Sequence, residues 1–148
     1  MNGHKLIRRA AILGCCFVLA HLATIVITIT AKGLDWGFNA WLLDVSGLLA
    51  GAYFAVQCWK SSFQPAKDYQ KINLFILIWA SLTFIARTLD VLMLFGFVKW
   101  AEIYITPTAS VLYANILSEV ILGTTFTFTA LVGSIVLLIH KQDPIDVR

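Results

Sequence analysis

Charge is the scarcest commodity in this chain. Only 13% of its 148 residues are Asp, Glu, Lys or Arg, against roughly 25% in an ordinary globular domain. Hydrophobic residues make up 59%, and the mean hydropathy is +0.84. The length suits a single domain over residues 1–148, but a water-soluble domain of that size cannot hide so much apolar surface. A bilayer removes the difficulty by being the solvent.

Other scarcities narrow the function. Three cysteines, two of them adjacent (Cys15, Cys16 and Cys58), do not make a disulfide framework and are read as small buried apolar side chains. Of three histidines, only His21 falls inside an apolar run, so one chain cannot ligate a haem from both sides. There is no HExxH, Cys/His cluster or CxxC, so no metal or cofactor is expected. The net charge of +3 is modest, and its basic residues gather at the ends of apolar runs. Nucleic-acid binding needs a basic stripe that tracks phosphates, which is missing. No segment between the runs is long enough to form a soluble domain.

What is present is apolar length. A helix needs about 20 mostly apolar residues to cross the hydrocarbon core. Four stretches qualify, at about 9–31, 37–59, 72–98 and 108–139, and together they predict an all-α transmembrane four-helix bundle with short loops. The three prolines sit in connections or at helix starts. Lys32-Gly33 separates the first two spans, and Ser61-Ser62 with Pro65 the next two. Thr106-Pro107 has the form of an N-cap followed by proline at the first helical position, and Asp143-Pro144 stops the last helix.

Positively charged residues resist translocation and so set orientation. Lys5, Arg8 and Arg9 precede the first span; Lys60, Lys67 and Lys71 fill the second connection; Lys141 and Arg148 end the chain. The opposite side has only Lys32 and Lys99, so the count is eight against two. Both termini are therefore expected in the cytoplasm, with the protein in a plasma or inner membrane. The first span is too long for a cleaved leader and reads as a retained anchor.

Every span carries an ionisable residue: His21 in the first, Asp44 in the second, Arg87 and Asp90 in the third, Glu119 in the fourth. Such residues cost several kcal/mol in hydrocarbon and so tend to face a bundle interior and pair. With the spans centred, His21 and Arg87 lie near mid-membrane, and the three carboxylates roughly 7–9 Å toward the outside at about 1.5 Å per residue. Small and polar residues share their faces. The stripes are Ala10, Gly14, Phe17, His21, Thr24 and Thr28; Asp44, Gly47, Gly51 and Ala55; Ala80, Thr83, Arg87 and Asp90; Asn115, Glu119, Gly123 and Ala130. Gly47 and Gly51 form a GxxxG, which permits close helix packing. The threonines at 124, 125, 127 and 129 are read as bonding back to their own helix rather than lining a pore.

His21, Asp44, Arg87, Asp90, Asn115 and Glu119 are thus expected to form one intramembrane polar cluster, opening outward. It would be either a site for an ion, proton or ligand, or structural pairing. Three carboxylates against one arginine leave an excess negative charge that low-dielectric surroundings disfavour. The expectation is that Arg87 bridges Asp90 and another carboxylate while Glu119 or Asp44 titrates. Asp44 and Asp90 at similar depth outline an aspartic dyad, but Arg87 beside Asp90 favours an ionised, paired carboxylate. No catalytic signature remains. The function expected is a non-enzymatic membrane subunit that senses, anchors or relays as a homo-oligomer, with a cytoplasmic partner docking on the Lys60–Lys71 loop and C-terminal tail. The rival is a small channel or a proton- or cation-coupled transporter that uses the acidic cluster.

Overall fold

The structure, a computed structural model, describes residues 2–32, 38–63, 66–94 and 110–140, with side chains for 2–27, 29, 30, 45–63, 70–89, 91, 92 and 117–139. Four helices account for nearly all of it: α1 (Gly3–Lys32), α2 (Phe38–Phe63), α3 (Ala66–Leu94) and α4 (Ser110–His140). There is no strand among the described residues. Three helices contain stretches long and apolar enough to cross a membrane: Gly3–Ile27, Gln70–Leu89 and Leu117–Ile139. In α2, side chains are described only from Val45 onward, which omits the apolar residues at its start.

The helices run past the apolar stretches that seed them. Asn2 caps α1, its Oδ1 accepting from the His4 and Lys5 amides at 3.1 and 3.4 Å, which satisfies donors that a helix start leaves orphaned. Lys5, Arg8 and Arg9 therefore lie inside the first turns of α1 rather than before it. The turn expected at Ser61-Ser62 is instead the last turn of α2, where Ser62 Oγ donates to the Trp59 carbonyl at 2.8 Å. Lys60 and Lys71 accordingly sit on helix ends, both exposed, not in an open loop. Thr106-Pro107 and Asp143-Pro144 lie outside the described residues.

Around the bundle the order is α1, α2, α3, α4. The α1–α4 interface is the most extensive and the α2–α3 interface the least. Antiparallel packing of α1 on α4 keeps a seven-residue step. Ile7 meets Gly133, Gly14 meets Phe126, and His21 meets Glu119. A seven-residue step holds one packing seam against its partner over several turns. Gly14 is indispensable to it, because a Cβ there would lie 2.8 Å from both Ala55 Cβ and Phe126 Cζ.

At the centre Phe126 is buried against Phe17 (ring centroids 6.4 Å) and Trp79 (5.2 Å). Trp79 stacks on Phe54 at 4.0 Å, and Phe54 in turn contacts Phe75 at 5.2 Å. These rings clamp α2 to α3 close to the connection that joins them. Of the stripes read from the sequence, Ala10, Gly14, Phe17, His21 and Thr24 on α1, Gly51 and Ala55 on α2, Ala80 on α3, and Glu119, Gly123 and Ala130 on α4 are buried, while Gly47, Thr83 and Arg87 are half-buried. The outside is a belt of exposed Leu, Ile, Val and aromatic residues, among them Leu19, Leu49, Leu82, Ile121 and Phe128. A patch that large is a liability in water.

Cysteine burial divides in a way the sequence does not anticipate. Cys58 is fully buried, but Cys15 and Cys16 are exposed on the outer face of α1. Two consecutive helical residues point about 100° apart, yet both fall outside the narrow stripe that α1 turns inward. A membrane-permeant maleimide is expected to add two labels to the native protein and a third only after denaturation, read by intact mass. Three labels added natively at equal rates would contradict the burial of Cys58.

Candidate functional site

Two buried polar groups meet on the α1–α4 interface. His21 on α1 and Glu119 on α4, both buried, are joined by a 2.5 Å contact between Nδ1 and Oε1. The contact is a hydrogen bond between residues 98 positions apart. The heptad step of the α1–α4 seam is what brings the two side chains to the same level.

Arg87 reaches the same region from α3. Its guanidinium lies 4.9 Å from the centre of the Phe17 ring, within the range of an attractive cation–π contact. The same ring lies 5.6 Å from the His21 imidazole. Phe17 is thus the common neighbour of the cation and of the hydrogen-bonded pair. Two glycines make room for it. A Cβ at Gly51 would stand 2.6 Å from Phe17 Cε1, and one at Gly123 would meet Phe17 at 3.1 Å and Arg87 Nε at 3.2 Å. At Gly47 the nearest atoms, both of His21, are 3.6 Å away, an ordinary contact. The groups that approach the GxxxG of α2 are therefore the side chains of Phe17 and His21.

A cavity of about 120 Å³ lies beside this cluster. Phe17, Gly51, Trp79, Phe126, Thr83 and Arg87 form most of its wall, and Ala50 lines it while being exposed on the outside of α2. Most of the wall is apolar. Thr127, also in it, turns its hydroxyl back to the carbonyls of Gly123 and Thr124 at 3.0 and 3.1 Å. Polar character is concentrated on Thr83 and Arg87, four residues apart on one face of α3.

Of the residues singled out from the sequence, the structure brings together His21, Glu119 and Arg87, with Gly47 and Gly51 beside them. Glu119 is paired with His21, while the expected bridge from Arg87 to Asp90 and another carboxylate involves side chains outside those described. Asp44, Asp90 and Asn115 lie on α2, α3 and α4, with side chains outside those described. Back-bonding by threonine occurs at Thr125 to the Ile121 carbonyl (2.7 Å) and at Thr127. Thr124 Oγ1, by contrast, is buried without a hydrogen-bond partner. Among the described residues no group of three or more His, Cys, Asp or Glu is placed to hold a metal ion.

Sequence reasoning passed over Phe17 as a contributor to the site, together with Trp79 and Thr83. Phe17 sits one turn from His21 on the same stripe, and that spacing is the signal that could have found it. It also passed over Asn73, fully buried on α3, whose Nδ2 donates to the Ser134 carbonyl of α4 at 3.1 Å. The chain matches none of the protein-family models, curated proteins or solved structures with which it was compared.

Proposed function

We propose that this chain is a non-enzymatic, multi-pass membrane subunit of four transmembrane helices, both termini cytoplasmic, that senses, anchors or relays through homo-oligomer and partner contacts. The observation that carries this reading is the buried His21–Glu119 hydrogen bond across the α1–α4 interface. A polar pair in an apolar interior favours one packing of two helices over others. The exposed Lys60 and Lys71 at helix ends offer a cytoplasmic surface for partner contact. Homo-oligomer formation and partner docking belong to the same reading.

Two measurements test it. Membranes washed at alkaline pH are expected to retain the protein, and reporters fused at either end are expected to read cytoplasmic; release into the wash would refute membrane insertion. Thermal melting in mild detergent is expected to fall by several degrees in His21→Leu and in Glu119→Leu, at about 3 °C per kcal/mol for a chain of this size. Unchanged melting in both variants would mean that the pair does not hold the seam.

The cavity favours a second reading, a small channel or a proton- or cation-coupled transporter, because it adjoins the buried polar pair. Arg87 in its wall disfavours metal cations there. Proton-driven uptake into liposomes that disappears in Glu119→Gln would support transport over sensing.

A further inference from the structure

Among the described side chains, one end of the bundle carries cations without matching carboxylates. Lys5, Arg8 and Arg9 on α1, Lys60 on α2 and Lys71 on α3 are all exposed. The carboxylate described, Glu119, is buried against His21, which lies about 18 Å farther along α1 than Arg9 by helical rise. Arg8 is placed differently from the other cations. Its guanidinium lies 5.0 Å from the centre of the Phe63 ring, and Phe63 contacts Trp59 at 5.1 Å. Both rings are about half exposed. A cation–π contact supplies no acceptor oxygen, so the N–H donors of the Arg8 fork meet no carboxylate among the described residues. Lys5 precedes Arg8 by one helical turn and shares its face of α1. Ile12 continues that face toward the middle of the bundle, and Val56 continues the Phe63 and Trp59 face of α2; these two are 53% and 50% exposed. Gly14 against Ala55 and Arg8 over Phe63 hold α1 and α2 antiparallel. The outer edge of their seam therefore runs from cations through aromatic rings to aliphatic side chains. A phospholipid has the same order from its phosphate through its ester region to its chains, with tryptophan favoured at the headgroup level.

We propose that this edge of the α1–α2 seam binds one anionic phospholipid. The Arg8 guanidinium takes phosphate oxygens in its planar fork, and Lys5 adds a point charge. Trp59 and Phe63 lie against the ester region, and the chains follow Ile12 and Val56. A zwitterionic lipid brings its own cation to a surface that repels it, so net negative charge is selected. The aromatic and aliphatic continuation selects a lipid over a soluble phosphate. This site rests on the membrane reading above, and the two fail separately. Protein released by an alkaline wash refutes insertion; protein retained in membranes but without lipid preference refutes the site alone.

The experiment is native mass spectrometry of the full chain in mild detergent, titrated separately with dioleoyl phosphatidylglycerol, dioleoyl phosphatidylcholine and glycerol phosphate. Saturation at one phosphatidylglycerol per chain is expected, roughly tenfold tighter than phosphatidylcholine, since basic side chains near a membrane surface favour anionic lipid. Arg8→Gln is expected to remove that preference and, being an exposed change, to leave the melting temperature where it was. Arg8→Lys keeps the charge but loses the fork and the ring contact, and is expected to retain only part of the preference. Arg9→Gln removes the same charge about 100° around the helix and is expected to retain most of it. Equal losses in Arg8→Gln and Arg9→Gln would reduce the effect to diffuse charge attraction and overturn the proposal. Adducts that never saturate, or phosphatidylcholine bound as tightly as phosphatidylglycerol, would overturn it too. Glycerol phosphate bound as tightly as the lipid would make this a soluble-phosphate site, which also overturns it.

Discussion

Glu119→Ala is expected to destabilise the protein more than any other single truncation of a polar side chain described here. It removes the acceptor of a buried bridge and leaves the His21 imidazole facing a void. Breaking a buried pair from one side costs about 3–5 kcal/mol in water-soluble proteins. Membrane helices lose less, because the separated helices also find partners for their polar groups, so about 2 kcal/mol is the expected loss. The decisive comparison is the cycle with His21→Leu. If the bridge acts as a unit, the double variant His21→Leu/Glu119→Leu will be more stable than the sum of the single losses predicts, because no orphaned group remains. Additive losses in detergent unfolding would mean that the two residues stabilise the bundle separately.

Gly14→Ala is expected to have a comparable effect from a single methyl group. The added carbon would stand 2.8 Å from Ala55 Cβ and from the end of the Phe126 ring. Phe126 could rotate, but Ala55 Cβ moves only if α2 moves. Forcing a methyl group into a packed core costs about 1–3 kcal/mol, here opposed by the better helix propensity of alanine, up to about 1 kcal/mol. A net loss of about 1–2 kcal/mol is therefore expected. Gly47→Ala serves as the control, since its new carbon meets only His21 at 3.6 Å, and it should be neutral or slightly stabilising. Identical behaviour of the two variants in thermal melts would contradict the α1–α2 approach.

These two sites mark what could be read from the sequence. The helices and their inward faces were legible because lipid imposes a strong filter. A polar or small residue in an apolar run has few places to face but inward, so Gly14, His21 and Glu119 could be assigned to the interior without any partner being known. The pairing of Glu119 with His21 was not legible, because counting charges carries no information on relative depth. His21 and Glu119 lie level only because α1 and α4 run antiparallel in a seven-residue register, and that register depends on Gly14 against Phe126 and Gly133 against Ile7. The role of Phe17 was hidden for a related reason. An aromatic residue on an inward stripe looks like filler until a cation is seen lying over its face. Helix ends were misjudged because hydropathy marks where the apolar run stops, while the hydrogen-bond ladder continues to a cap such as Asn2.

The seam between α1 and α4 also bears on how the chain reaches this state. Its two halves are separated in sequence by α2 and α3, so in the membrane reading proposed above α1 enters the bilayer well before its main partner has been synthesised. Until α4 arrives, His21 lacks its contact with Glu119, and the hollow at Gly14 has no ring to fill it. Biogenesis therefore ends with the most extensive interface instead of starting from it. A ribosome stalled ahead of α4 would leave a three-helix intermediate with one polar face open to lipid, a form that membrane chaperones and proteases are equipped to recognise.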